Sequence, residues 1–310
     1  MKGSKLFFAT LLALSTAVIS GVSNFVAKIS VTAVKDPIVF TTLKNGVVAV
    51  LLIGAFLVFK RWKELRRFSK SQWLKLVAIG VVGGSVPFAL FFTGLTYTSA
   101  LNASLIHKSL FLWVLLLAVP ILRERMTTWQ WAGIVLVAAA NVFVGGFKGF
   151  KLNLGELMIL GATILWAVEN IIAKKALQNA SSITVSSARM VLGSLILLIF
   201  LAFRGSGVPV AQLSVVQWSW TLLSSALLFG YVVTWYAALK RAPATYVATL
   251  LVPATLVTNV LTAVFITHTF PLVQLSSAIL VTIGAVLFVT FARRTQQMPV
   301  VGRTPSGITS

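Results

Sequence analysis

Windows of about twenty consecutive apolar residues recur along nearly the whole chain, and this feature constrains the fold more than any other. Residues 76–106, for example, carry no charge. Hydrocarbon offers no water to a backbone N–H or C=O, so such segments must close their hydrogen bonds internally as helices. Composition agrees: 58% of the 310 residues are hydrophobic and 10% charged, where a soluble domain has about one-quarter charged. The chain therefore reads as an all-α, polytopic membrane protein whose first partner is the lipid bilayer. A net charge of +21 in a soluble protein would suggest nucleic acid. Here the basic residues fall mostly between apolar runs, which reads as a topology signal with no nucleic-acid partner. The absence of cysteine removes disulfides, thiol nucleophiles and thiolate metal sites.

The apolar runs predict ten transmembrane helices, at about 6–28, 38–59, 74–95, 99–121, 127–147, 153–173, 183–203, 215–238, 244–267 and 271–292. Two boundaries lie inside long apolar stretches. One is set at the polar Thr96–Ser99 and the other at 267–271, where Pro271 suits a helix start. The first run, Leu6 to Ala27, is too long for the h-region of a signal peptide and recurs internally, so it reads as a retained helix. With the N-terminus inside, eighteen of the 26 basic residues fall in inside segments and four (Lys35, Lys148, Lys151, Arg204) in outside loops. That bias predicts a plasma (inner) membrane protein with both termini cytoplasmic. Residues 293–310, polar and containing Pro and Gly, read as a disordered cytoplasmic tail.

The second half repeats the first. Ser20–Lys28 overlays Trp166–Lys174, so that "SNFVAK" at 23–28 meets "ENIIAK" at 169–174. Lys44 then meets Arg189, "QW" at 72–73 meets "QW" at 217–218, and "GLTYTSALNASLI" meets "ALKRAPATYVATL". Two repeats of five helices, 1–147 and 153–292, must enter the membrane from opposite sides because five is odd. Inverted repeats are typical of secondary transporters, whose halves rock about a shared site.

These residues, with "ILRERMTTWQWAGIVLVAAANVFV" at 121–144 and "ALKRAPATYVATLLVP" at 238–253, resemble the drug/metabolite transporter superfamily, specifically its EamA-like ten-helix members. The resemblance covers about 6–292. Its departures are Ser20, where the family has the tryptophan seen at Trp166, Ser109 opposite Pro253, and His268 opposite Glu124.

A charge at mid-span costs about 2.5–3.5 kcal/mol, so intramembrane charges tend to face a bundle interior or water. Lys44, Lys108 and Arg189 are therefore candidate substrate-binding residues, Lys108 being the deepest and Arg189 offering a fork of donors suited to carboxylate or phosphate. Structural bonds or snorkelling would also explain Lys44 and Arg189, and snorkelling alone would explain Lys28 and Lys174. Asn24 and Asn170 share helix faces with those last two lysines and are the better candidates to meet substrate. Trp166, Tyr231 and Trp235 could pack on an organic ligand or serve as plain packing, as could Tyr236. Glu169, the one acid well inside a span, reads as an ion-pair partner for Arg189 or Lys108, or as a proton carrier. His107 points elsewhere on the helix than Lys108, and packing between helices explains it at least as well as a functional role. The stripe Thr255, Thr258, Asn259, Thr262 either lines a pathway or bonds neighbouring helices.

The interior so drawn is net cationic. The expected function is a secondary active or facilitative transporter of a small-molecule substrate bearing an anion, such as an amino acid or organic acid, with no cofactor and no metal. The alternatives are an intramembrane enzyme, for which no HExxH or acid pair at helical spacing is present, and a passive pore or lipid-moving protein. No Gly-Lys pair exists to form a phosphate-binding loop, which disfavours an ATP-driven pump. Oligomeric state is left open, with a monomer a plausible form.

Overall fold

Because the apolar runs are separated by polar residues that cap helices, they fold as helices that begin and end near the expected borders. A computed structural model describes residues 2–142, 152–205, 212–269 and 272–297, and no strand occurs among them. The first half holds α1 (Lys2–Val34), α2 (Pro37–Val58), the short α3 (Trp62–Leu65), α4 (Lys70–Ile79), α5 (Val86–Tyr97), α6 (Ala100–Lys108), α7 (Leu110–Leu122) and α8 (Thr128–Val142). The second holds α9 (Leu154–Ala176), α10 (Ser182–Arg204), α11 (Val215–Arg241), α12 (Ala244–Thr249), α13 (Ala254–Thr262) and α14 (Leu272–Gln297). Asp36, Ser69, Ser99, Asn153, Ser181 and Ser214 cap the starts of α2, α4, α6, α9, α10 and α11 with side-chain oxygens, satisfying backbone N–H groups that have no partner within the helix.

Eight of these helical segments, with α4–α5, α6–α7 and α12–α13 each counted as one, are long and apolar enough to cross a membrane. Two shorter apolar helices, Thr128–Ala140 and Ala278–Phe291, fall where the fifth and tenth spans were expected. Many outward side chains are large and apolar, Phe203 (88% exposed) and Val58 (75%) among them, as suits a surface facing lipid. The protein is a polytopic helical membrane protein. The last helix runs to Gln297, beyond the expected end at 292, and residues 298–310 lie outside those described, as do 143–151 and 206–211.

The two halves are not side-by-side bundles. Helix α1 packs on α11 and α13, and its counterpart α9 packs on α4–α5 and α6–α7; α2 packs on α10, α8 on α14, and α7 on α12. Each contact crosses between halves, and at the level of whole spans exchanging the halves maps the set onto itself. The fourth and ninth spans are interrupted at matching places, Ser109 between α6 and α7 and Leu250–Pro253 between α12 and α13.

The exchange holds at single residues. Lys28 Nζ donates to the carbonyls of Leu95 (2.5 Å) and Thr98 (3.3 Å), at the end of α5. Lys174 Nζ donates to Leu239 (2.6 Å) and Ala242 (2.5 Å), at the end of α11. A helix C-terminus carries unpaired carbonyls and a partial negative charge, which an ammonium satisfies. The paired lysines are thus helix caps. Replacing either by Met should cost about 2 kcal/mol, read as a similar fall in Tm for both variants in detergent. The repeated glutamines act alike: Gln72 Nε2 donates to Ala176 O at 2.8 Å and Gln217 Nε2 to Ala33 O at 3.1 Å, each reaching the end of the other half's leading helix.

Two acids tie the halves at one end. Glu124 accepts from the backbone N–H groups of Ala244 (2.7 Å) and Thr245 (3.0 Å) at the start of α12. Glu64 accepts from Ser181 N and Thr184 Oγ1, both at 2.9 Å, and from Arg61. Burial pushes the Glu64 carboxyl up, but these donors outweigh it and hold the group below its ordinary 4.5. Because the folded value is the lower one, this tie contributes fully above about pH 4.5 and is lost as pH falls through the depressed value. Glu64→Gln should therefore lower Tm at pH 7 by an amount that vanishes in acid, as a pair of Tm–pH curves would display.

Candidate transport site

Helices from both halves enclose a central cavity of about 70 Å³. Among the residues weighed as substrate-binding or proton-coupling candidates, Asn24, Lys44, Trp166, Glu169, Asn170, Arg189, Tyr231 and Trp235 line it. Lys108 does not. Its Nζ donates to Ser20 Oγ at 3.0 Å from a fully buried position, and Ser20 is the residue on the wall. Its neighbour His107 packs between Trp166 and Phe91, with ring centroids 5.0 and 5.3 Å away, and also lines the cavity. Successive helical residues point about 100° apart, so one of the pair had to turn away.

The two lining cations are held differently. Lys44 Nζ lies 3.9 Å from the centre of the Phe92 ring, 4.6 Å from Phe88 and 5.5 Å from Phe40. Three π faces share its charge, each contact contributing about 0.5–2 kcal/mol, and no hydrogen-bond acceptor among the described residues meets it. Arg189 Nε donates to the Gly83 carbonyl at 3.1 Å, and its guanidinium lies over Phe88 (5.5 Å) and Tyr236 (5.8 Å).

The Gly83 carbonyl is available because of Pro87. An α-helix would pair it with the N–H four residues on, and proline has none. The turn Gly80–Ser85 widens into a π-helix just there, a distortion frequent at functional sites. The freed oxygen accepts from Arg189 and also from Trp166 Nε1 at 3.1 Å. Gly83 must be glycine for a further reason: a Cβ there would sit 2.4 Å from Cγ of Glu169. The stretch "GGSVP" at 83–87 carried this signal in the sequence, through a proline inside a span.

Glu169, 1% exposed, accepts a short hydrogen bond from the Tyr236 hydroxyl. The expected ion pair with Arg189 or Lys108 does not form. Among the described residues, pairs within 4.0 Å are Arg61–Glu64 and Arg204–Asp36, both outside the cavity. Tyr236 is the partner sequence reasoning missed, since a tyrosine 67 positions away gives no local cue.

The two asparagines differ as well. Asn170 is fully engaged, its Oδ1 accepting from Trp235 Nε1 at 2.9 Å and its Nδ2 donating to Trp166 O at 2.8 Å. Asn24 Nδ2 and His107 Nδ1 are buried with no hydrogen-bond partner, so both remain open to a ligand in the cavity. Tyr231 stacks on Trp235 with centroids 5.8 Å apart and planes within 10°, making a flat apolar wall. The polar stripe of the ninth span lies elsewhere: Thr258 Oγ1 donates to Gly21 O at 2.9 Å, which bonds α13 to α1.

A duplicated helical bundle that spans the bilayer and meets over a charged, partly unsatisfied cavity defines the class of membrane transporters. Within it, the chain belongs to the EamA-like transporter family, whose profile matches residues 7–146 and again 153–290. An uncharacterized transporter of Methanothermobacter thermautotrophicus is 26% identical over 52% of this chain and 53% of its own length. Another, from Archaeoglobus fulgidus, is 29% identical over 60% and 66%. The uncharacterized inner membrane transporter YhbE of Escherichia coli K12 is 26% identical over 56% of each chain. The chain thus spans between about half and two-thirds of these relatives' lengths. A solved crystal structure superposes with a TM-score of 0.73 over 93% of this chain and 98% of that one, at 18% identity, and shares the fold.

Proposed function

We propose that the protein is a secondary carrier moving a small polar metabolite with an anionic group, such as an amino acid or organic acid, by alternating access to the central cavity. One observation carries the anion: Lys44 and Arg189 both line the cavity, and its single acid, Glu169, takes a hydrogen bond from Tyr236 rather than pairing with either. An anion entering there meets a guanidinium and an ammonium in low dielectric, where charge-assisted bonds are strong. Asn24 Nδ2 and His107 Nδ1 add open polar groups, and the Tyr231–Trp235 stack receives the apolar part of the ligand. Lys108 acts behind the wall by orienting Ser20.

The two five-helix repeats, 1–147 and 153–292, rock about this seam, with both termini on the cytoplasmic side of an inner membrane as the basic-residue bias indicates. Glu169 is the group through which a proton would couple to the cycle, passed through the Tyr236 hydroxyl. Counterflow in proteoliposomes tests the reading. Preloaded acid should accelerate uptake of the labelled acid with saturation, Lys44→Gln should weaken that uptake about tenfold, and amines without a carboxylate should not compete. Linear, unsaturable flux would indicate a pore and defeat it.

A further inference from the structure

A second cavity, of about 460 Å³, opens at the end of the bundle where Glu64 ties the halves together. Its walls come from both halves: Lys63, Glu64, Arg67, Phe68, Ser69 and Gln72 from the α3–α4 segment, and Asn179 from the turn after α9. Three features mark it as a binding site. Residues 60–75 hold seven basic side chains and one acid, and clusters of this density beside a membrane helix recognise anionic headgroups. Lys63 and Arg67 have no acidic partner among the described residues, while the one acid, Glu64, is taken up by Ser181, Thr184 and Arg61. The floor is Gln72, 2% exposed, whose Nε2 is bonded to Ala176 and whose Oε1 is buried without a partner. Beside the cavity, Trp73 (44% exposed) and Leu74 (70%) face outward, as expected at a membrane interface.

An unpaired acceptor beneath two unpaired cations asks for a ligand that is anionic and also a donor. We propose that this pocket binds a phosphate carrying a hydroxylated substituent, the phosphate on Lys63 and Arg67 and a hydroxyl donating to Gln72 Oε1. The headgroup of phosphatidylglycerol and free glycerol phosphate share that chemistry. The site is separate from the central cavity and stands whether or not the transport reading does. Because its walls belong to both halves, an occupant bears on their relative position.

Thermal unfolding of the purified full chain, titrated with phosphatidylglycerol, phosphatidic acid, phosphatidylcholine and glycerol phosphate, tests this. A saturable rise in Tm with phosphatidylglycerol alone identifies a lipid, and an equal rise with glycerol phosphate a soluble ligand; both support the site. The double variant Lys63→Gln, Arg67→Gln should weaken binding about thirtyfold, the loss of two basic residues at a membrane surface. Arg66→Gln with Lys75→Gln removes equal charge from the same segment outside the pocket and should change it little. Equal weakening in both pairs would show a diffuse basic surface and overturn the proposal, as would stabilisation by phosphatidylcholine to the same extent. Phosphatidic acid binding as tightly as phosphatidylglycerol would remove the hydroxyl and the role given to Gln72.

Discussion

Arg189→Gln should leave a folded protein that takes up the anionic substrate proposed for it ten- to a hundredfold more weakly. The size follows from a charge-assisted contact made away from water, about 1.5–3 kcal/mol. Two further consequences separate this from mere loss of structure. Arg189→Lys keeps the charge but has no Nε to hold the Gly83 carbonyl, so it should fall between wild type and Gln. Glu169→Gln removes the cavity's one acid while leaving an oxygen for Tyr236 to meet; it should preserve substrate binding and abolish any response of uptake to a pH gradient. Proteoliposome uptake measured with and without an imposed gradient reads all three variants. Undiminished uptake by Arg189→Gln would remove the guanidinium from the site.

The largest expected effect on the fold comes from Gly193→Val. A Cβ on Gly193 would lie 2.4 Å from the carbonyl carbon and oxygen of Gly84, and one on Gly84 would lie 2.0 Å from the oxygen of Arg189. Backbone meets backbone here, so no side chain can swing aside. Helix α10 would have to lift from the π-turn, carrying Arg189 away from Gly83. The cost should exceed about 3 kcal/mol, seen as aggregation on size-exclusion chromatography or a Tm too low to measure. Gly46 is the control, with nothing within 4 Å of its would-be Cβ. Gly46→Ala in α2 should be neutral or stabilising by up to about 1 kcal/mol.

Much of this architecture is written plainly in the chain. Apolar length sets the spans, because a helix must match the hydrocarbon thickness, and the duplicated "SNFVAK" and "ENIIAK" announce the repeat. The cavity walls were largely legible for a related reason: a polar or charged residue deep in a span has few places to go except inward. Direction around the helix was the harder matter. His107 and Lys108 are adjacent, and which of them faces the cavity depends on how α6 is set by the break at Ser109, a property of packing rather than of local pattern. The partners of Glu169 and Gly83 were hidden likewise, since they lie many tens of residues away along the chain. Lys28 and Lys174 looked like snorkelling residues, and only the position of neighbouring helix ends shows what their ammonium groups hold.

One departure from the exchange of halves bears on the symmetry of the proposed cycle. The positions answering to Glu169 and Tyr236 in the first half are Ser23 and Phe92, so one wall carries an ionisable, hydrogen-bonded pair where the other carries a small hydroxyl and a plain ring. In a perfectly mirrored carrier the forms open to either compartment would be energetic twins, and cargo would see no difference between arriving and leaving. For the carrier proposed above, the dissimilar walls would lift that degeneracy, to be read as unequal substrate affinities from the two faces of the membrane, while the solute gradient or a coupled ion sets which way net transport runs.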